Sequence, residues 1–257
     1  AGAIASGSAL TNSQINAVSP GSLALGAANN TSTISAGNAG AFGAVAFGGV
    51  NDNATISATA TGTLAHGALN GAGSNISCAL AGSHAHGVAG SGGRIQANGF
   101  GSHASGFANI NLLVAGGIGS AIFGVCDLSD HLVGGKASVS IGDGNIVSAD
   151  LALGCGIGIL NSSYASLVVG QFASTPGAST NSWVATDPVF ATGNGTGVGL
   201  ESLGFEVSKD GRVKTTAAQV HAACRSINAD STLSERTDRS IFVDTATATG
   251  NVTVTFP

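Results

Sequence analysis

The chain repeats a six-residue alternation in which a larger side chain, a small one and another larger one precede a glycine. It reads GAIASG (2–7), GSLALG (21–26), GAVAFG (43–48), GTLAHG (62–67), GSHAHG (82–87), GSHASG (101–106) and GSAIFG (119–124). Looser copies follow as ASVSIG (137–142), ADLALG (149–154) and ASLVVG (165–170). The closing glycines are Gly7, Gly26, Gly48, Gly67, Gly87, Gly106, Gly124, Gly142, Gly154 and Gly170. Alternation with period two over such short stretches predicts strands. In a strand, successive side chains point to opposite faces. Leu23 and Leu25, Val45 and Phe47, or Leu167 and Val169 therefore form one bulky apolar stripe, and the intervening Ala24, Ala46 or Ala65 a second, tiny face. The tiny face admits another layer of backbone at close range.

Between the frames lie further alternating segments, among them TISAG, TISATATG, ISCALAG, RIQANGFG and LLVAGG. Asparagine, aspartate and glycine gather where they begin, as in NNTST, NDNAT, NGAGSN and GDGN, and these are turn residues. Each repeat is thus one turn cluster followed by short strands, the pattern of one coil of an all-β, parallel β-solenoid. Stacked at ~4.7 Å per strand, ten coils make a shaft on the order of 45 Å long.

Composition narrows the alternatives. Of 257 residues, 41 are glycine and only 4 proline, without a Gly-X-Y period, so collagen fails. Hydrophobic residues make up 43%, too many for a disordered polar chain. Charged residues are 8% and the net charge is −5, which gives nucleic acid or an anionic membrane nothing to hold. No apolar run approaches the ~20 residues of a membrane span, and the first residues lack the charged start of a leader. The cysteines, Cys78, Cys126, Cys155 and Cys224, show no CxxC spacing and read as small buried residues, with disulfides between chains as the alternative.

Charge density rises near residue 175. Residues 1–175 are read as solenoid, 176–190 as a neck containing Pro176, Trp183 and Pro188, and 191–257 as a small β-rich module. In that module, alternation on either side of Asp210-Gly211 predicts a hairpin. RSIFVDTATATGNVTVTFP (239–257) predicts two more strands around Gly250-Asn251, and AAQVHAACRSI fits a short helix or a strand.

A thin coil of small residues builds little core by itself. Three copies with their apolar stripes around one axis would bury all three, so a homotrimer is expected. Enzyme chemistry finds no support: there is no GxSxG elbow, no phosphate loop with its lysine and no defensible carboxylate pair. Asp52, Asp127, Asp130, Asp143 and Asp150 fall in predicted turns, where aspartate caps its own backbone. No catalytic residue or organic cofactor is expected.

The G-S-x-A-x-G frame resembles the head repeats of trimeric autotransporter adhesins, which also occur in bacteriophage tail fibres and tailspikes. The resemblance covers residues 2–175 and implies a trimeric parallel β-roll. DPVFATGNGTGVGLESLGFEVSKDGRV resembles a module that follows such repeats in phage tail fibres. DRSIFVDTATATGNVTVTFP resembles the opening strands of a fibre domain whose later strands would lie beyond Pro257. The implied role is a structural and adhesive segment of a virion tail fibre: a stiff spacer that meets other tail or baseplate proteins and a host receptor such as a polysaccharide or outer-membrane protein. The alternatives are the head of a bacterial surface adhesin and a self-assembling extracellular filament.

The histidines need separate reading. His84 and His86 fill both bulky positions of one frame, His66 the later position of the coil before and His103 the earlier one of the coil after. Stacking would bring the four together. Three chains around an axis would then offer six imidazoles from His84 and His86 to one octahedral transition-metal ion, an arrangement that HxH pairs make in some phage fibre tips. The other readings are stacked histidines replacing Leu or Phe in a damp core, and histidines facing outward.

Overall fold

The computed structural model describes residues 2–127 and 129–215, and beyond them the strands Cys224–Ile227, Ser231–Thr232, Ser240–Val243 and Val254–Thr255. The elements are all β: a parallel β-solenoid of about ten turns. Two compact units divide at Lys214/Thr215.

In the first unit, the glycine-closed frames form one long sheet. Ile4–Ala9 pairs in parallel with Leu23–Ala28, that with Val45–Asn51, and so on in order along the chain. The intervening segments form a second, nine-stranded sheet from Gln14–Ala17 to Leu160–Asn161, equally in register. Glycine meets glycine on every rung: Gly7, Gly26, Gly48, Gly67, Gly87, Gly106, Gly124, Gly142, Gly156, Gly170 and Gly193.

Two rungs differ from the expected frames. The ninth closes at Gly156 rather than Gly154, so the frame is LALGCG (151–156), with Gly154 in the inward position. A shift of two residues leaves every side chain on the same face, so alternation alone reads either way. An eleventh rung, Pro188–Asn194, pairs in parallel with Leu167–Gln171 and carries the frame as PVFATG (188–193). These residues were read as the end of the neck and the start of the module. Leu203–Ser208 then pairs antiparallel to it, and Val213–Thr215 follows in the same sheet. The turn between them is closed by Gly211 N–H donating to the Ser208 carbonyl at 2.9 Å, as Asp210-Gly211 predicts.

The core lies between the two sheets. The frame's central alanines (Ala24, Ala46, Ala65, Ala85, Ala104) are fully buried, and Ile34, Ile56, Ile76, Ile95 and Leu113 of the second sheet face them. The small face is thus filled by one branched side chain per coil from across the coil, rather than by backbone. The frame's opening Gly-Ser is a turn. At Ser19-Pro20-Gly21-Ser22, Pro20 presets φ and Gly21 takes +71°, and the Ser22 N–H donates to the Ser19 carbonyl at 3.0 Å. The Ser22 hydroxyl donates to the same carbonyl at 2.6 Å, and Ser83, Ser102 and Ser120 repeat the bond to Leu80, Gly99 and Gly117. The Asn/Asp clusters supply paired left-handed residues, Asn30-Thr31 and Asp52-Asn53, whose backbones stack on one another.

Beyond Cys126 the coils shorten to fourteen residues between Gly142, Gly156 and Gly170. Their interior turns polar, with His131, Ser140, Asn145 and Asn161 all fully buried.

In the second unit, Cys224–Ile227 pairs in parallel with Ser240–Val243, and Ser231–Thr232 with Val254–Thr255. The end of AAQVHAACRSI is therefore strand; its first part, residues 217–223, and the Gly250-Asn251 turn lie outside the described residues.

The closing glycine is required twice over. At Gly106 φ is +150° and a Cβ would sit 1.7 Å from the Gly124 carbonyl oxygen, whereas a Cβ at Gly49 meets nothing within 4 Å. Gly106→Ala is expected to cost about 2–5 kcal/mol, strain and overpacking together. Gly49→Ala should stay within about 0.5 kcal/mol of the parent. Urea unfolding of the two variants checks this, and equal midpoints would remove the ladder as a determinant.

Candidate functional site

The strands Leu64–Asn70, His84–Ala89 and His103–Ala108 are consecutive rungs of the first sheet. Because Ala65, Ala85 and Ala104 point inward, His66, His84, His86 and His103 point outward from the coil, each partly buried by its neighbours. Register places His66 beside His86 and His84 beside His103. His66 and His86 stack with centroids 4.9 Å apart and planes 4° from parallel. His84 lies 5.0 Å from His86 and 4.8 Å from His103, the latter edge-on. Phe47 stacks on His66 at 4.6 Å, and Phe123 lies 5.1 Å from His103. The four imidazoles thus form one ladder with an aromatic ring at each end.

Their environment disfavours charge. Burial first, and then the neighbouring His103, His86 and His66, together lower the pKa of His84 to about 4. Burial likewise lowers His66 and His103, with neighbouring histidines adding to the effect. The His86 Nδ1 lies 3.4 Å from the Ser105 hydroxyl. The Nε2 atoms of His84 and His103 are buried and have no hydrogen-bond partner.

The cluster that the repeat pattern predicts is therefore present, on the outer face of the coil. It combines the stacking of one reading with the outward orientation of another. Among the described residues of one chain, no group of three or more His, Cys, Asp or Glu is arranged to hold a metal ion. Ligation by His84 and His86 would need nitrogens from other copies.

Other candidate positions have structural partners. Asp130 accepts from the Leu112 N–H at 2.9 Å, Asp150 from Lys136 N–H at 2.7 Å and Asp143 from Asp127 N–H at 3.1 Å. These carboxylates cap the neighbouring coil rather than their own backbone. Cys78 and Cys126 are buried, with Cys78 pushed up to about 11 by burial, and Cys155 sits half-buried on the outer stripe.

Two further clusters were not among the candidates read from the sequence. His131 is fully buried, with Nε2 2.7 Å from the Ser140 hydroxyl and Nδ1 3.2 Å from the Val125 carbonyl. By register this pair replaces Leu113 and Ile122 of the coil before. In register HLV (131–133) lies on LVA (113–115), eighteen residues earlier, and that alignment was the available signal. Lys209 Nζ lies 5.2 Å from the Trp183 ring centre and 5.6 Å from that of Tyr164, clamping the last hairpin to the final coils. Burial lowers its pKa, and Asp187 opposes the shift.

Comparison with protein-family models and with curated proteins finds no match for this chain. The ladder and the His131–Ser140 pair therefore stand on their geometry. Burial lowers His131 below the ordinary histidine value. A depressed folded pKa means that the unfolded chain takes the proton first. The stability this group contributes is thus present above its unfolded pKa of about 6.5 and lost as pH falls through the folded one. The double variant H131L/S140I restores the apolar pair of the neighbouring coil and should flatten that loss. Urea midpoints between about pH 8 and pH 5 test it; an unchanged slope would exonerate His131.

Proposed function

We propose that this chain is a segment of a homotrimeric fibre, structural and adhesive rather than catalytic, of the kind that serves bacteriophage tails. The observation that carries this reading is the outward stripe of the long sheet. Positions one and three before each closing glycine are uncharged from Ile4 to Phe190. Phe47, Phe123 and Ile141 on it remain 39%, 41% and 44% exposed, and Val88, Phe107 and Ile157 line the adjacent row. An uncharged and largely apolar strip of this length marks an interface. Its regular spacing, one rung every ~4.7 Å, suits an equal strip on another copy.

The mechanism is mechanical. The rungs hold a rigid rod, three chains bury their stripes at its axis, and the second sheet faces outward. From Thr33 to Gln96 that sheet presents Thr33, Thr55, Asn75, Arg94, Ser57, Ser77 and Gln96, a surface of hydroxyls and amides with one guanidinium, and its later strands turn Leu112, Val114, Leu132, Ile146 and Leu160 to the same face. Weak contacts from such a surface to a host polysaccharide or outer-membrane protein gain strength from threefold repetition. No helix among the described residues is long and apolar enough to cross a membrane.

Light scattering of the full chain tests the assembly. Three chain masses are expected, and Ile141→Glu, which places like charges at the axis beside Asp143, should release single chains with the β-sheet circular dichroism intact. A wild-type chain that is monomeric at micromolar concentration would overturn the trimer.

A further inference from the structure

The second sheet carries a groove that neither the core nor the outward stripe uses. It crosses three consecutive coils beside the turn at Gly73, has a volume of about 330 Å³ and is lined by Thr55, Ser57, Asn75, Ser77, Arg94 and Gln96. The strands Thr55–Ala58, Asn75–Cys78 and Arg94–Ala97 supply these residues. Ile56, Ile76 and Ile95 point into the core, so alternation turns the residues on either side of each to the outer face. Register then sets Thr55, Asn75 and Arg94 in one row and Ser57, Ser77 and Gln96 in a second beside it.

Most of the groove's polar groups are uncommitted. Asn75 Oδ1 accepts from Gln96 Nε2, and Gln96 Oε1 from Asn98 Nδ2, each at 3.4 Å. Among the described residues, the hydroxyls of Thr55, Ser57 and Ser77 have no hydrogen-bond partner, and the Arg94 guanidinium has neither a hydrogen bond nor an ion pair. No carboxylate lines the groove. Asp52, in the turn that leads to Thr55, is held by Asn30 Nδ2 at 2.7 Å and Asn51 Nδ2 at 3.1 Å. The site thus offers hydroxyls that donate and accept, amides, and one fixed positive charge. Ligand cavities of this size are ordinarily apolar, and this lining gives a lipid or an apolar peptide side chain nothing to pack on. A nucleic-acid strand would need a row of cations, and Arg94 is the only one in the lining. The complement is a molecule with many hydroxyls and a single carboxylate.

We infer that this groove is a saccharide subsite that takes a uronic-acid unit of an acidic polysaccharide. Arg94 pairs with the sugar carboxylate through two parallel N–H bonds, and Thr55, Ser57, Asn75 and Ser77 bond the ring hydroxyls. The inference deepens the adhesive reading above and rests on it for the outward placement of the second sheet. The next rung sets Leu112 beside Arg94 and Val114 beside Gln96. The guanidinium therefore ends the polar rows, and the sugar lies with its carboxylate there and its hydroxyls back over Asn75 and Thr55.

The test is titration of the full chain with polygalacturonate, alginate and hyaluronate, linear polymers of carboxylate-bearing sugars, beside methyl-esterified polygalacturonate. Wild type should bind at least one of the three acidic polymers. Arg94→Gln, at an exposed residue without a partner, should keep the circular dichroism and weaken that binding at least about tenfold. Arg212→Gln, which removes an equal charge from the hairpin, should leave it unchanged. Binding to none of the three, equal binding by Arg94→Gln, or equal binding of the ester to that of polygalacturonate, where polygalacturonate binds, overturns the inference. The double variant S57A/S77A separates a sugar from a bare charge. Weaker binding with the same salt dependence is expected, and unchanged binding would leave only an anion site and overturn the saccharide. A species larger than three chains that Arg94→Gln dissolves would make the groove a contact between copies and overturn it as well. Light scattering of the same samples keeps the two readings apart. A trimer that binds no acidic polymer ends the subsite alone, and a monomer that binds through Arg94 ends the trimer alone.

Discussion

The distance between one closing glycine and the next sets everything else in this solenoid. Adjacent rungs approach so closely there that a Cβ would lie 1.7–2.0 Å from the next rung's carbonyl oxygen from Gly7 to Gly156. The backbone bends at that point with φ between +129° and +152°. Only glycine meets both demands. Once the bend recurs at the same place in each coil, the strands before and after it must stack in register. The alternation then sends Ala24, Ala46, Ala65, Ala85 and Ala104 inward and the residues on either side of them outward. The thin core, the uncharged stripe and the histidine ladder all follow from that single repeated bend.

Most of this was legible because the constraint is periodic. The frames located ten strands of the long sheet, and the TIS-type segments located the second. What escaped was whatever parity or composition concealed. The two-residue displacement at Gly156 preserves inside and outside, so LALGCG and ADLALG are equivalent as alternation. The eleventh rung hides behind Pro188 and a long preceding loop, although PVFATG has the pattern. The source of the core volume was also misplaced: the isoleucines that fill it sit in the linking segments and not in the frame.

The candidate site was legible in part. Placing His66, His84, His86 and His103 together needs only the frame and the stacking of coils, and the rings do meet. Burial, the two orphaned nitrogens and the flanking Phe47 and Phe123 depend on side-chain geometry that spacing cannot supply. His131 stands eighteen residues after Leu113, the step that also separates Leu113 from Ile95, so its inward place was open to alignment, but its bond to Ser140 was not. The rung-to-rung capping by Asp130, Asp143 and Asp150 likewise depends on side-chain geometry.

The shortened coils also bear on how such a rod would fail under load. Hydrogen bonds between stacked strands run along the stacking direction, so tension applied along it reaches the rungs in series, each bearing the full force. In series, strength is that of the weakest link. The strands Ile146–Val147 and Leu160–Asn161 are only two residues long, against four for Arg94–Ala97, and they lie beside a core of His131, Asn145 and Asn161 in place of isoleucine. A pulled solenoid therefore yields first near residues 131–161, and the glycine-closed coils from Leu23 to Cys126 stay folded as one block.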